Sequence, residues 1–169
     1  EEVNLDKITQ LAYHVTEERK GPFLRYLIKE KNIKQALVFT SSTRSADNLA
    51  EKLKKNKIPA TAVHGKKSQG SRSGNLRDFK EGGTQILVAT DLIGRGIHID
   101  SLEYVINYEL PRSPLDYVHR IGRTGRALES GTAITILTDD ELQHFRVIQK
   151  KMGKRVELIR TEDINLHGF

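Results

Sequence analysis

Short β-branched runs alternate along the chain with longer stretches whose apolar residues return every three to four positions. These are the periods of strand and helix. Leu11, Tyr13 and Val15 alternate with polar neighbours and predict a first strand. Behind Pro22, a residue suited to a first helical position, Phe23, Leu24, Leu27 and Ile28 share one helical face. Ala36-Leu37-Val38-Phe39 reads as a buried strand. Ser41 or Ser42 then caps a helix with Ala46, Leu49, Ala50 and Leu53 at i, i+3, i+4 and i+7. The alternation continues. Ala60 to Val63 is a strand, and Ser68 opens a helix with Leu76 and Phe79 that Gly82-Gly83 ends. Ile86 to Ala89 and Tyr104 to Ile106 are strands. Ser113-Pro114 opens a helix through Tyr117, Val118 and Ile121, and Thr132 to Leu137 is β-rich. Asp139 caps a last helix bearing Leu142, Phe145, Ile148 and Met152. Strands joined by helices of this size imply right-handed crossovers, hence an α/β fold with a mostly parallel sheet. Residues 1–155 form the domain on this reading, and 156–169 a short C-terminal appendage.

In such a sheet ligands sit beyond the carboxyl ends of the strands. That directs attention to residues 40–44, 64–67, 90–98 and 107–111, which are polar and in which glycine recurs. Glycine permits the close backbone approach that a phosphate-facing edge needs. Composition narrows the classes. The 169 residues suffice for one core and not for two full domains. With 37% hydrophobic and 30% charged residues, wholesale disorder is excluded. No apolar run approaches the roughly 18 residues of a membrane span, and the opening from Glu1 to Asp6 is no secretory signal. The absence of cysteine excludes disulfides, thiol catalysis and thiolate metal sites. A start at Glu1 rather than Met reads as a piece of something longer or a processed product. Against 22 Asp and Glu stand 28 Lys and Arg, a net charge of +6 that favours polyanionic partners.

The densest chemistry lies at His119-Arg120-Ile121-Gly122-Arg123-Thr124-Gly125-Arg126. Three guanidinium groups, always charged and matched to phosphate by their planar fork, repel one another unless an anion compensates. Together with Val38-Phe39-Thr40 through Arg44, His64-Gly65, Gln69-Gly70-Ser71-Arg72, Ala89-Thr90-Asp91, Gly94-Arg95-Gly96-Ile97 and Asn107-Tyr108-Glu109-Leu110-Pro111, it resembles the second, C-terminal RecA-like domain of DEAD-box RNA helicases. The motifs run in the family's order over residues 5 to 152. His119 and Thr124 favour the DEAD-box pattern, and the 64–72 and 107–111 segments look most like the bacterial RhlE-like branch.

The resemblance implies a RecA-like three-layer α/β/α domain, the C-terminal motor half of a cytoplasmic ATP-dependent RNA helicase. Its ATP and Mg²⁺ would be held by an N-terminal ATP-binding RecA-like domain absent from this chain. Arg123 and Arg126 would be catalytic arginine fingers. Gly96 and His98 would join them at the nucleotide, while Arg95, His119 and Arg120 would couple the two domains. Thr43, Arg44, Gly65, Arg72, Thr90 and Asp91 would hold the RNA backbone without reading sequence. His98 stands where the family usually has Asp, a group that reaches the ribose. Neutral imidazole both donates and accepts, whereas imidazolium only donates, so nucleotide binding is expected to be weaker or pH-sensitive.

Neither a Gly-x-x-x-x-Gly-Lys-Ser/Thr phosphate loop nor Asp-Glu-Ala-Asp occurs, so the chain alone is expected not to hydrolyse ATP. His14, His64, His144 and His167 have no metal-ligand spacing, and no metal site is expected. Arg146, Lys150, Lys151, Lys154 and Arg155 form a basic tail, read as a solvated helix face or an auxiliary RNA contact. The expected partners are single-stranded or duplex RNA, the N-terminal domain and adaptor proteins, with no membrane. Two rivals remain: a stand-alone single-strand nucleic-acid binding module without ATP chemistry, and a protein-interaction domain using Asp139-Asp140-Glu141.

Overall fold

The computed structural model describes residues 3–96, 99, 101–125 and 130–169, and their side chains except at 95 and 96. Among the described residues, seven strands form one sheet in the order β3-β4-β2-β5-β6-β1-β7. They are β1 Ile8–His14, β2 Ala36–Phe39, β3 Ala60–Val63, β4 Ile86–Ala89, β5 Tyr104–Asn107, β6 Gly131–Leu137 and β7 Leu158–Arg160. Every pairing is parallel, so the sheet is wholly rather than mostly parallel. Among the described residues, six helices connect the strands: α1 Lys20–Glu30, α2 Thr43–Lys55, α3 Gln69–Lys80, α4 Asp91–Gly96, α5 Pro114–Ile121 and α6 Leu142–Met152.

The side-chain alternation of the strands divides the core into two faces. Val38, Ala62, Val88, Ile106, Ile134 and Ile136 pack against Phe23 and Leu27 of α1 and Leu49 and Leu53 of α2. On the other face, Leu37, Phe39, Leu87 and Val105 meet Phe79 of α3. Ile8, Ala12, Ala133 and Leu137 there meet Tyr117 and Ile121 of α5 and Phe145 and Ile148 of α6. The result is a three-layer α/β/α sandwich. At about 2 kcal/mol for each large side chain fully buried, these clusters supply its main stabilisation.

Local sequence explains most boundaries. Ser42, Ser68 and Ser113 each accept a first-turn N–H through the side chain and start α2, α3 and α5. Gly82, at φ +87°, lies just past the end of α3. Three boundaries differ from the sequence reading. Pro22 is the third residue of α1, because a 3₁₀ turn at Glu17–Arg19 already leads the chain into the helix. Asp139 is not a cap: it begins a 3₁₀ turn at Asp139–Glu141 that Thr138 and Glu141 close as a reciprocal capping box. Residues 90–96, read only as a polar strand-end segment, contain α4.

The stretch after Val156 is woven into the domain. β7 pairs with β1. The Arg19 guanidinium donates to the carbonyls of Thr161 and Ile164, each at 2.9 Å. Phe169 sits edge-on to Tyr26 at 5.7 Å, and the Arg25 Nε donates to its main-chain oxygen at 2.8 Å. Within 156–169, only Val156 and Thr161 are buried. That left almost no periodic signal to read.

Candidate functional site

Strand order brings the RNA-edge candidates together. β3, β4 and β2 are neighbours, so at roughly 4.8 Å between strands their carboxyl ends lie within about 10 Å. Gly65 follows β3, Thr90 and Asp91 follow β4, and Thr43 and Arg44 open α2 after β2. Arg72 lies in the first turn of α3 and donates to Gln69 Oε1 at 2.5 Å. Arg44 and Gly65 are exposed, Thr43, Arg72 and Asp91 half-buried, and Thr90 buried.

Two long helices aim their N-termini at this edge, and neither α2 nor α3 carries an acidic residue in its first turn. The positive dipole end of α3 therefore suits an anion, whereas the N-terminus of α2 already has the Glu109 carboxylate on the Ser41 N–H. Gly65 leaves open space around the position a Cβ would take. The buried His64 supports this loop. Its Nδ1 accepts from the Lys66 N–H at 3.3 Å, which leaves the proton on Nε2 to donate to Asp47 at 2.9 Å. The Lys67 ammonium donates to the carbonyl of Ala62, and Lys66 is exposed.

Glu109 was missed as a site residue because its partner is 68 positions away. Its Oε1 accepts from the Ser41 N–H at 2.7 Å and the Ser41 hydroxyl at 2.9 Å, fixing the loop that delivers Thr43 and Arg44. Burial alone would raise the Glu109 pKa. Hydrogen bonds from Ser41 and Ser45, with the Lys20 ammonium nearby, outweigh burial and hold the carboxyl below its ordinary value. Stability from a depressed carboxyl is present above the unfolded-state pKa, about 4.3 for glutamate, and is lost as pH falls through the lower folded value. Glu109→Gln is therefore less stable than the parent at neutral pH, and the two melting temperatures converge below about pH 4. A gap that stays constant on acidification would contradict this anchoring role.

Arg120 is 2% exposed, and four of its five N–H groups have partners. Nε and Nη2 donate to Asp91 Oδ1 and Oδ2 at 2.5 and 2.8 Å. Nη1 donates to Asn107 Oδ1 at 3.3 Å and to the carbonyl of Glu109. Its guanidinium lies 5.1 Å from the centre of the Phe39 ring. A Cβ at Gly94 would strike that ring at 2.4 Å, so this glycine answers to packing. Arg120, expected at a domain interface, thus ties β2, α4, β5 and the 108–111 segment to α5.

Below Arg120, the chain turns at Gly122 to Gly125. This turn lies at the opposite end of the sheet, against Val3, Lys7 and Ile8. Gly125, at φ +65°, has no room for a Cβ beside Ile8. Thr124 donates to the carbonyl of Leu102, and the Leu102 N–H donates to that of Arg123 at 3.2 Å. Arg123, Asp116 and the exposed His119 line a crevice of about 10 Å³ with Asp91 and Gly94. That is far below the roughly 300 Å³ of a small-molecule pocket. The described residues here form a shallow crevice rather than a pocket. Gly96 ends α4, while the Arg95 side chain, His98 and Arg126 lie outside the described residues.

The other histidines have ordinary partners: His14 meets Asp139 at 2.5 Å, and His144 meets the Pro111 carbonyl at 2.7 Å. Among the described residues, no helix is long and apolar enough to cross a membrane.

The described residues thus form a parallel α/β/α sandwich with arginines beside a crevice and at one strand edge. Residues 19–128 match the helicase conserved C-terminal domain. The chain is 38% identical over 169 residues to the DEAD-box ATP-dependent RNA helicase CshA of Geobacillus kaustophilus, spanning 99% of this chain and 36% of that protein. It superposes on the C-terminal domain of the DEAD-box protein Dbp5 with a TM-score of 0.84 and 32% identity, covering 94% of this chain and 92% of that one. Saccharomyces cerevisiae Dbp5 bound to RNA and ADP BeF3 matches with a TM-score of 0.85 and 33% identity, over 95% of this chain and 43% of that one. The chain belongs to the C-terminal domain family of DEAD-box ATP-dependent RNA helicases, and its fold is RecA-like. It spans about a third of the length of CshA.

Proposed function

We propose that this domain is the C-terminal motor half of a cytoplasmic ATP-dependent RNA helicase and that Arg123 and Arg126 act on ATP as arginine fingers. Within the family we place it nearest the RhlE-like branch, on residues 64–72 and 107–111. The observation that carries the reading is the crevice beside Arg123: an arginine faces a space too small for a nucleotide, so the site needs a second wall. That wall is the N-terminal RecA-like domain, which would supply the phosphate loop and hold Mg²⁺. Alone, the chain would be inactive.

The two patches have separate tasks. Thr43, Arg44, Gly65, Arg72, Thr90 and Asp91 hold the backbone of one RNA strand at the carboxyl edge, with the α3 N-terminus adding a positive field. Arg123 and Arg126 stabilise negative charge developing on the transferred phosphoryl group, with Gly96 and His98 alongside. Arg95 and His119 meet the facing domain. Arg120 links the patches, because its guanidinium holds Asp91 at the RNA edge while its own helix leads to Arg123.

A chimera tests this. The chain replaces the C-terminal domain of CshA, behind that protein's own N-terminal domain. RNA-stimulated ATP hydrolysis is expected. A chimera that binds RNA but neither hydrolyses ATP nor responds to a nucleotide analogue would favour a stand-alone binding module.

A further inference from the structure

We infer that the outer face of α6 is a second contact surface for the RNA backbone, separate from the carboxyl edge of the sheet. The inference rests on the RNA-binding reading above. α6 buries Phe145 and Ile148 in the core and turns Arg146, Val147, Lys150 and Lys151 outward, at the spacing of a single helical face. Gly153, at φ 74°, ends the helix and sends the exposed Lys154 and Arg155 onward.

From residue 142 to 156 the chain has five Lys and Arg and no Asp or Glu. Lys154 pairs with Asp6 at 2.5 Å, and Arg146 donates to Gln143 at 3.1 Å. Among the described residues, Lys150, Lys151 and Arg155 have no ion pair. A groove of about 310 Å³ runs between the helix end and the following turn, lined by Arg146, Gln149, Lys150, Gly153, Lys154 and Arg155. Unbalanced like charges around a concave surface repel one another until an anion enters, and lysines beside an arginine fork suit phosphodiesters.

The placement suits a long strand that leaves the first site and passes down the side of the domain. α6 begins just after β6 ends at the carboxyl edge and runs back along the sheet, so its basic end lies toward the amino ends of the strands, where Lys154 meets Asp6. From Arg146 to Lys151 the basic stripe rises about 7.5 Å along the helix axis, and Lys154 and Arg155 extend it past the helix end. A lipid surface fits less well. A membrane-lying helix inserts an apolar face, whereas the apolar face of α6 is buried against the sheet.

The test uses the 169-residue chain and two oligouridylates, about 6 and about 20 nucleotides long, the shorter within the site size of a single domain. Affinity is measured across a salt series for the parent and for Lys150→Gln/Lys151→Gln/Arg155→Gln, whose three side chains are exposed. Equal melting temperatures establish that the variant is folded. For the longer RNA the log–log salt slope is expected to fall by about 2, since each single-strand phosphate contact contributes about 0.7. For the shorter RNA it is expected not to change. An unchanged slope with the longer RNA, or the same reduction with both, overturns the inference. So does a variant that loses binding to phosphatidylserine vesicles while keeping its RNA slope. If the parent chain binds neither RNA, the RNA-binding reading itself fails. If the parent and the variant bind both RNAs alike, only the α6 surface fails.

Discussion

Arg120→Ala is expected to lower the melting temperature of the domain by roughly 10 °C, with a loss of about 3 to 5 kcal/mol. The argument is one of orphaned partners. Removing the guanidinium takes a donor from each Asp91 carboxylate oxygen, from the Asn107 side-chain oxygen and from the Glu109 carbonyl. Asn107 itself is wholly buried and has Thr135 as its remaining side-chain partner, at 3.0 Å. A buried acceptor left without its donor incurs the full desolvation penalty, whereas removing both partners costs less than the sum. Arg120→Ala/Asp91→Ala is therefore more stable than the two single losses added together. Arg120→Lys does not restore the parent, because one ammonium cannot reproduce a fork that reaches two residues at once and lies over the Phe39 ring. Thermal unfolding of the four proteins decides the matter. A melting temperature for Arg120→Ala within a few degrees of the parent would remove Arg120 as the tie between strand ends and α5.

The same residue shows how far sequence reading reaches. Strand cores were legible to the residue at Ala36–Phe39, Ala60–Val63 and Ile86–Ala89, because strands covered on both faces are continuous apolar runs bounded by polar segments. The serine caps were legible because capping is local. What stayed hidden depends on contacts between distant positions. Nothing near Arg120 in sequence says that its partners are Asp91, Asn107 and the Glu109 carbonyl, and the resemblance pointed it toward a domain interface. Glu109 and Ser41 are separated by 68 residues and meet only because β2 and β5 are neighbours. β7 escaped because its residues are largely exposed, so no alternation marks it. The six RNA-edge residues were chosen by motif. Strand order then set the loops after β2, β3 and β4 side by side, an arrangement that spacing alone does not contain.

Arg123→Ala, placed in the chimera with the N-terminal domain of CshA, is expected to reduce kcat for ATP hydrolysis by about 10³-fold or more. An arginine that meets the phosphoryl group only as charge develops acts on the transition state. Its loss should therefore appear in kcat, with RNA affinity unchanged. The site geometry makes the substitution informative. Arg123 borders a narrow crevice with Asp116 and His119, and of the RNA-edge residues Asp91 alone shares it; Thr43, Arg44, Gly65, Arg72 and Thr90 do not line it. The main chain at Arg123 is held independently of its side chain: its N–H donates to the Arg120 carbonyl, and its carbonyl accepts from Leu102. Removing the guanidinium should accordingly leave the turn in place. Arg123→Lys keeps a positive charge but loses the planar fork, and it is expected to recover only a small part of the rate. Three readouts separate the alternatives. A fall in kcat at constant RNA affinity and melting temperature fits a finger; a parallel loss of RNA affinity places Arg123 at the RNA edge; and a lowered melting temperature makes it structural. A kcat within tenfold of the parent would leave the phosphoryl group without help from Arg123 and move the catalytic burden to Arg126.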